Sequence, residues 1–549
     1  MRVVLKDHEL LDPLQALLKF EKILPPEPLG TEKISIRDAV GRVLANDVYS
    51  PIDNPPFSRS LVDGFAVKSS LTPGRFKIIG KVNIGERPLI RVDEKTAVEI
   101  DTGAAIPEGA DAVVKVEDVK IENGEVIIDK KIPFGLNIGW LGSDIYKDQL
   151  IASKGSIITP ELITLFATLG ISEIEVFKKP KIYVIVTGNE LVEPNKPLDV
   201  GKVYEANSYY ISSFSKTLGY EVIGYKIVKD DINEIKNNII EATNIADVVM
   251  ITGGSSAGER DYVHKAIREL GEIVVHGIKI KPGKPTILAR INNKPVFGLP
   301  GNVVSTVMVF NEMISKYLSK LSGIKNELKL GEIEAKFILN VKGDSHRITY
   351  QPVYLIRGVK EWLAIPIKFE SYMIGTFTLS DGYIVLKPNE EIKEGEVRKV
   401  IGKSGDSRPT LIGEELESLK KLSSKIRTLF IGSIPACKLL EYGGGDILVI
   451  SSLVCKPLKY DYVISRKIFS FGDGPNIGYD EWIGLSKLIP NPSIKLRYLA
   501  LVRNFIGKSR VIAPEEIIGN NGTYVINEDI YIVINNKPLD KEVAKILGF

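Results

Sequence analysis

Apolar positions recur at helical spacing at Leu14, Leu17, Leu18 and Ile23, and PPEP at 25–28 ends that helix, because proline lacks an N–H and clashes with the preceding turn. A short strand, KISIRDAV, follows. From 46 to 143 the period drops to two. RFKIIGKV, TAVEI, DAVVKVEDV and GEVIIDKKI read as strands cut by Gly, Pro and Asn turns, a small β domain inserted into a helical one. ITPELITLFATLG then restores a helix, with a threonine cap, proline at its first position and a glycine stop.

Beyond 179 strands and helices alternate. KIYVIV, a helix from about 207 to 218, YEVIGYKIV, a helix from about 231 to 244, ADVVMI and a helix from about 260 predict a doubly wound, mostly parallel sheet with ligands at its carboxyl edge. β patterning returns from 326, and SGDSRP at 404–409 reads as a linker. The expected fold is therefore multidomain α/β plus β. An N-terminal helical domain covers 1–45 and 144–178, and the inserted β domain covers 46–143. A central α/β domain follows at 179–325, a barrel-like β domain at 326–402 and an α/β extension at 403–549.

Composition narrows the function little. At 549 residues the chain exceeds one core, and 44% apolar with 26% charged residues is ordinary for a globular protein. With 72 basic against 69 acidic residues, no overall field points to nucleic acid or anionic membrane, so anion binding has to be local. No run approaches the roughly 18 apolar residues of a membrane span, and no signal-peptide core is present, which predicts a cytoplasmic protein. Cys437 and Cys455 are no disulfide framework for this length and read as small buried apolar residues. The four histidines, His8, His264, His276 and His346, are scattered and give a Cys/His zinc site no support. Few Gln and Cys and many Lys, Glu and Ile lean towards a thermophile.

Candidate chemistry gathers at four strand ends of the central domain. ADVVMI runs directly into Thr252-Gly253-Gly254-Ser255-Ser256-Ala257-Gly258, and Glu259-Arg260-Asp261 opens a helix. Paired glycines let backbone N–H groups approach an anion, and the helix start adds positive potential, although a plain structural turn has the same look. Lys281-Pro282-Gly283-Lys284-Pro285 presents two ammonium groups on a proline-stiffened turn. Gly298-Leu299-Pro300-Gly301-Asn302 enters a long helix near Val303 and Ser305, either as an anion site or as a helix entry capped by Asn302. Thr187-Gly188-Asn189-Glu190 is the fourth loop. Glu190, Asp230 or Asp231, and Asp261 stand among these donors. Carboxylates beside a phosphate suggest a bridging Mg²⁺, while helix capping is the other role open to Asp231.

The motifs TGNEL, ADVVMITGGSSAGERDY, KPGKPT and GLPGN resemble those of the molybdopterin molybdenumtransferases, the MoeA and gephyrin E-domain family, whose central domain is of the MogA/MoaB-like, molybdopterin-binding kind. PPFSRSLVDGFAV at 55–67, DTGAAIPEGADAVVKVED at 101–118 and GSDI at 142–145 extend the resemblance over residues 1–402. It implies a homodimer whose site is shared between subunits. The implied reaction is insertion of molybdate or tungstate into adenylylated molybdopterin (molybdopterin-AMP) with release of AMP, and a molybdopterin adenylyltransferase is an implied partner. Asp261, Glu190, Asp144, Thr102 and Lys281 match the residues tied to activity, and Mg²⁺ falls to Glu190 and Asp261. Gly253, Gly254, Ser255, Gly258, Asp230, Lys284, Pro300, Gly301, Asn302 and Ser305 are the expected substrate-binding set.

Three positions depart from the family pattern: Ser58 stands for an aspartate, Ser143 for a glutamate and Val303 for a proline. They leave a non-catalytic molybdopterin-binding scaffold as the alternative function. In the extension, GSIPACKLLEYGGGDILVIS resembles the periplasmic-binding-protein-like domain fused to some archaeal members, a fold that binds oxyanions; a structural or dimer-stabilising appendage is the other reading.

Overall fold

A computed structural model describes residues 10–253, 262–324, 331–402, 408–416, 418–471, 476–479, 483–488, 494–496, 510–514, 523–535 and 539–547. No helix among them is long and apolar enough to cross a membrane.

The first helix, Pro13–Ile23, starts where Asp12 accepts the Gln15 N–H at 2.9 Å and proline occupies the first turn. Its buried face, Ala16, Leu17 and Phe20, packs into the core of the central unit; the Phe20 ring lies 5.5 Å from Phe297 and 5.3 Å from Tyr317. The next strand, Thr31–Ser35, pairs antiparallel with Glu173–Phe177, which follows the helix Pro160–Thr168 capped by Thr159. Between these paired strands sits a six-stranded sheet in the order 112–115, 64–67, 96–100, 74–82, 125–128, 120–122. Alternate residues of its strands feed two cores, Phe65, Val67 and Phe76 in one and Ala66, Val82 and Val98 in the other. Gly64 has no substitute, since a Cβ there would meet the Val114 carbonyl oxygen at 2.0 Å.

The central sheet is doubly wound. Strands 221–228, 181–187, 248–252 and 294–299 run parallel in that spatial order, and 287–291 and 272–276 complete the sheet antiparallel. Val184, Val186 and Met250 face one helical layer, Ile185, Val249 and Ile251 the other. Full burial of each stabilises the sheet by about 1.5–3 kcal/mol. Asp231 caps the helix Ile232–Ile245, one carboxylate oxygen accepting from the N–H groups of Asn233 and Glu234, both at 2.9 Å. Asn302 corrects the opposite expectation. It precedes the helix Val303–Val309 yet makes no cap bond, and its amide reaches Ser371 instead. Two of the scattered histidines prove to be neighbours, His264 stacking on His276 at 4.3 Å.

The fourth unit closes on itself. Strands 348–357, 362–366, 332–337, 397–402 and 382–386 form a ring, because 382–386 pairs with both 397–402 and 348–357. A sixth member comes from the central unit: Ile280–Lys281 joins as a parallel strand, Ile280 opposite Ile348 and Lys281 opposite Thr349. The extension is an α/β unit built on an eight-stranded sheet with the helix Ser433–Tyr442. Its apolar residues Ile412, Leu429, Leu439 and Ile450 share a core with Tyr354, Ile356, Leu363 and Ile365 of the barrel. The reading of its cysteines is overturned. Cys437 and Cys455 are joined as a disulfide, and each is only partly buried. The helix over Cys437 and the turn after strand Ile447–Ser451 bring together residues 18 positions apart, which the spacing alone does not reveal.

Candidate functional site

A cleft of about 1120 Å³ opens at the carboxyl edge of the central sheet. Three of the predicted loops form its floor. Thr187 and Glu190 come from the first, Gly253 from the second, and Pro300, Gly301, Asn302 and Ser305 from the third. The floor is tight: at Gly253, φ is +92° and a Cβ would meet the Thr187 carbonyl oxygen at 2.2 Å, while a Cβ on Gly301 would stand 3.4 Å from the Gly253 Cα. No larger side chain fits Gly253, so backbone N–H groups and strand ends are what a ligand would meet there. Thr187 and Thr252 are buried beside it, and among the described residues their hydroxyls have no hydrogen-bond partner.

The Lys281–Pro285 turn forms a second wall, with both lysines half-buried and facing the cleft. Its placement depends on the barrel, because the pairing of Ile280–Lys281 with residues 348–349 fixes the start of the turn. Lys281 Nζ lies 3.6 Å from Asp344, and Arg347 donates to both oxygens of the same carboxylate, at 2.8 and 3.3 Å. Burial alone would raise the Asp344 pKa. The Arg347 hydrogen bonds, the His346 N–H and the charges of Arg347 and Lys281 outweigh it and hold the carboxyl well below the usual range.

A third wall also comes from the barrel. Phe369, Glu370, Ser371, Tyr372 and Ile374 line it, and the Asn302 amide donates to the Ser371 hydroxyl at 2.8 Å, tying this wall to the floor. Lys342, Asp344, Arg347, Ser371 and Tyr372 are not marked by any sequence motif. The one local signal is the Asp344 and Arg347 charge pair at i,i+3 in a loop. The cleft thus joins cationic groups, an exposed carboxylate at Glu190 and the aromatic faces of Phe369 and Tyr372. That set suits an elongated ligand with a planar ring at one end and phosphate or another oxyanion at its centre.

The other expected residues lie elsewhere. Asp230 does not line the cleft; its carboxylate accepts the Asn189 N–H at 3.4 Å and clasps the Thr187–Glu190 loop. Thr102 sits on the inserted β unit, donating its N–H and hydroxyl to Asp63 at 2.7 and 2.9 Å, and these bonds lower the Asp63 pKa. Asp144 accepts from the Asn54 amide at 2.8 Å. Neither Thr102 nor Asp144 lines the cleft of its own chain. Gly254, Ser255, Gly258 and Asp261 fall outside the described residues. Among the described residues no three His, Cys, Asp or Glu side chains group to hold a metal by themselves. Mg²⁺ does not need such a cage, being bound as a rule by one or two carboxylates and substrate phosphates, and Glu190 at the floor of the cleft fits that donor set.

Fold and cleft together define a multidomain α/β protein with a cleft suited to a phosphorylated ligand at the carboxyl edge of a doubly wound sheet. Family comparison makes this specific. Residues 11–170 match the MoeA N-terminal region (domains I and II), 183–320 a probable molybdopterin-binding domain, and 334–402 the MoeA C-terminal region (domain IV). The chain belongs to the MoeA, or molybdopterin molybdenumtransferase, family. It is 33% identical over 370 residues to the molybdopterin molybdenumtransferase of Haemophilus influenzae, an alignment spanning 66% of this chain and 91% of the relative. A putative molybdopterin biosynthesis protein of Methanocaldococcus jannaschii is 32% identical over 402 residues, 70% of this chain and 97% of that one. The crystal structure of a molybdopterin biosynthesis MoeA protein from Pyrococcus horikoshii superposes with a TM-score of 0.63 at 36% identity, covering 72% of this chain and all of that chain.

Proposed function

We propose that the chain inserts molybdate or tungstate into adenylylated molybdopterin and releases AMP. The observation that carries this reading is the meeting of a glycine-tight floor at Gly253 and Gly301 with a wall where Lys281, Lys284 and Arg347 converge. One surface suits a pyrophosphate; the other suits a doubly charged oxyanion beside it.

Catalysis in this reading is electrostatic positioning. The floor N–H groups neutralise the pyrophosphate and the Lys281–Lys284 turn holds the oxyanion, while Asn302 and Ser371 keep floor and wall in register as the two dithiolene thiols bond the metal and displace one of its oxygens, which leaves as water with both thiol protons. Water then cleaves the pyrophosphate bond, and AMP leaves with the charge it gains. Mg²⁺, held by Glu190 and Asp261, would supply further neutralisation of that bond. Asp344 orients Lys281 and Arg347 and takes no part in proton transfer. Thr102 and Asp144 enter from a second copy of the chain, so the functional unit is a cytoplasmic homodimer, with Gly254, Ser255, Gly258 and Asp230 completing or bracing the phosphate loop.

Purified full-length chain, given adenylylated molybdopterin and Mg²⁺, should release AMP only when molybdate or tungstate is added, and Asp261→Asn should suppress that release by about 100-fold or more. Tight binding of the substrate without oxyanion-dependent AMP would instead make the chain a scaffold.

A further inference from the structure

The extension lies outside every part of the chain that the family models match, which end at 402, yet it is bonded to the wall of the cleft. Arg427 opens the short strand Arg427–Leu429 of the extension and is only 7% exposed. Its guanidinium reaches into the barrel unit by three contacts. Nη1 donates to Asp381 at 2.9 Å, Nη2 donates to the Leu379 carbonyl oxygen at 3.1 Å, and the planar group lies 5.2 Å from the Tyr354 ring centroid. Asp381 is equally buried and also accepts the Leu355 N–H at 2.7 Å, so one carboxylate joins the extension to a barrel strand.

Leu379 and Asp381 hold the far end of the segment that forms the third wall. Phe369 to Ile374 line the cleft, the helix Ile374–Leu379 follows, and Arg427 grips the last carbonyl of that helix. The helix has only six residues, too short to hold itself in water, and of its C-terminal carbonyls those of Thr376 and Phe377 are met by the Ser380 N–H while that of Leu379 turns to the extension. A buried cation at that end satisfies one of them and opposes the negative end of the helix. The near end is fixed independently by the Asn302 to Ser371 bond. The wall is thus a short bridge pinned at one end by the floor of the site and at the other by the extension.

We propose that Arg427 is a positioning residue for the cleft, and that the extension serves the site by bracing the 369–379 wall against movement when the ring-bearing substrate is bound. The proposal rests on the reading of the cleft given above. It predicts an effect on the planar ring that Phe369 and Tyr372 face, while the oxyanion wall of Lys281, Lys284 and Arg347 is spared.

Two variants of the full chain test it. Arg427→Lys keeps a charge for Asp381 but loses the second arm to Leu379 and the stacking on Tyr354. The double variant Arg427→Met with Asp381→Asn removes both charges, so no lone carboxylate is left buried, and the asparagine still accepts from Leu355. Hydrogen exchange of the 369–379 peptide should quicken in both, by about tenfold in the double variant, with the central sheet unchanged. The KM for adenylylated molybdopterin in AMP release should rise by about threefold in Arg427→Lys and about tenfold in the double variant, with kcat and the KM for molybdate within about twofold of native. Native exchange at 369–379 in folded Arg427→Lys would overturn the bracing whatever the reaction proves to be. An unchanged KM for adenylylated molybdopterin despite faster exchange, or equal losses in every kinetic constant, would overturn its link to the planar ring. Absence of AMP release from the native chain would sink the proposed function alone, and the exchange measurement would still decide the role of Arg427.

Discussion

Gly253 concentrates the local chemistry of the cleft in one residue. Its φ of +92° disfavours any L side chain, and the Thr187 carbonyl oxygen stands 2.2 Å from where a Cβ would lie, which leaves no space for one. Gly253→Ala is expected to cost about 1–3 kcal/mol of stability as the two strand ends are forced apart, and to weaken substrate binding because the displaced backbone is the floor itself. Thermal melts and a substrate titration check both effects; a native melting temperature would refute the steric account. The sequence made this glycine legible because strand, paired glycines and helix follow one another without interruption. It did not make Asp344 or Arg347 legible. Their importance arises from the contact of Asp344 with Lys281, more than 60 positions earlier, and an ion pair in a loop has no periodicity to betray it.

Elements that pack locally were readable, and those defined by a distant partner were not. The alternation after residue 179 signalled the doubly wound sheet because inner strands such as 248–252 are buried on both faces and helices such as Ile232–Ile245 on one. Ile280–Lys281, by contrast, is a strand only because Ile348 and Thr349 lie beside it. The helix Tyr262–Leu270 and the strand Glu272–His276 hold a similar surprise in the stacked histidines. Burial, and then the neighbouring His264, push the His276 pKa down to about 4; burial, Arg268 and Lys265 lower that of His264. A histidine depressed on folding binds its proton more readily in the unfolded chain, so its contribution to stability is complete above about pH 6.5 and is lost as pH falls from there through about 4. Melting temperature should therefore drop across that window, and His276→Gln should flatten the dependence. An identical pH profile for the variant would show that the pair is not responsible.

At the scale of the whole molecule, the α/β character of the extension was visible in its patterning, whereas its shared core with the barrel and its Cys437–Cys455 link depend on tertiary proximity. The same limit applies to the composite site. Thr102 and Asp144 belong to motifs of the family, yet in this chain they are bonded to Asp63 and Asn54, and neither reaches the cleft that holds Glu190 and Lys281. If a two-fold dimer brings the inserted β unit of one copy to the cleft of the other, each dimer has two sites, each drawing on both chains. This arrangement has a distinctive signature in mixed dimers. Asp144→Asn and Asp261→Asn should each silence both sites of a homodimer. Mixed and refolded together in equal amounts, half of the dimers should be hybrid, and each hybrid should carry one site with both aspartates intact and one with neither, restoring roughly a quarter of native AMP release. If every site were instead built within one chain, mixing would restore nothing. The measurement needs only the two purified variants, co-refolded and assayed with molybdate, and a size-exclusion profile to show that dimers form. Recovery near one quarter would place Asp144 in the partner's site; recovery at background with dimers present would return both aspartates to a single chain and leave the remote position of Asp144 to be explained by its bond to Asn54.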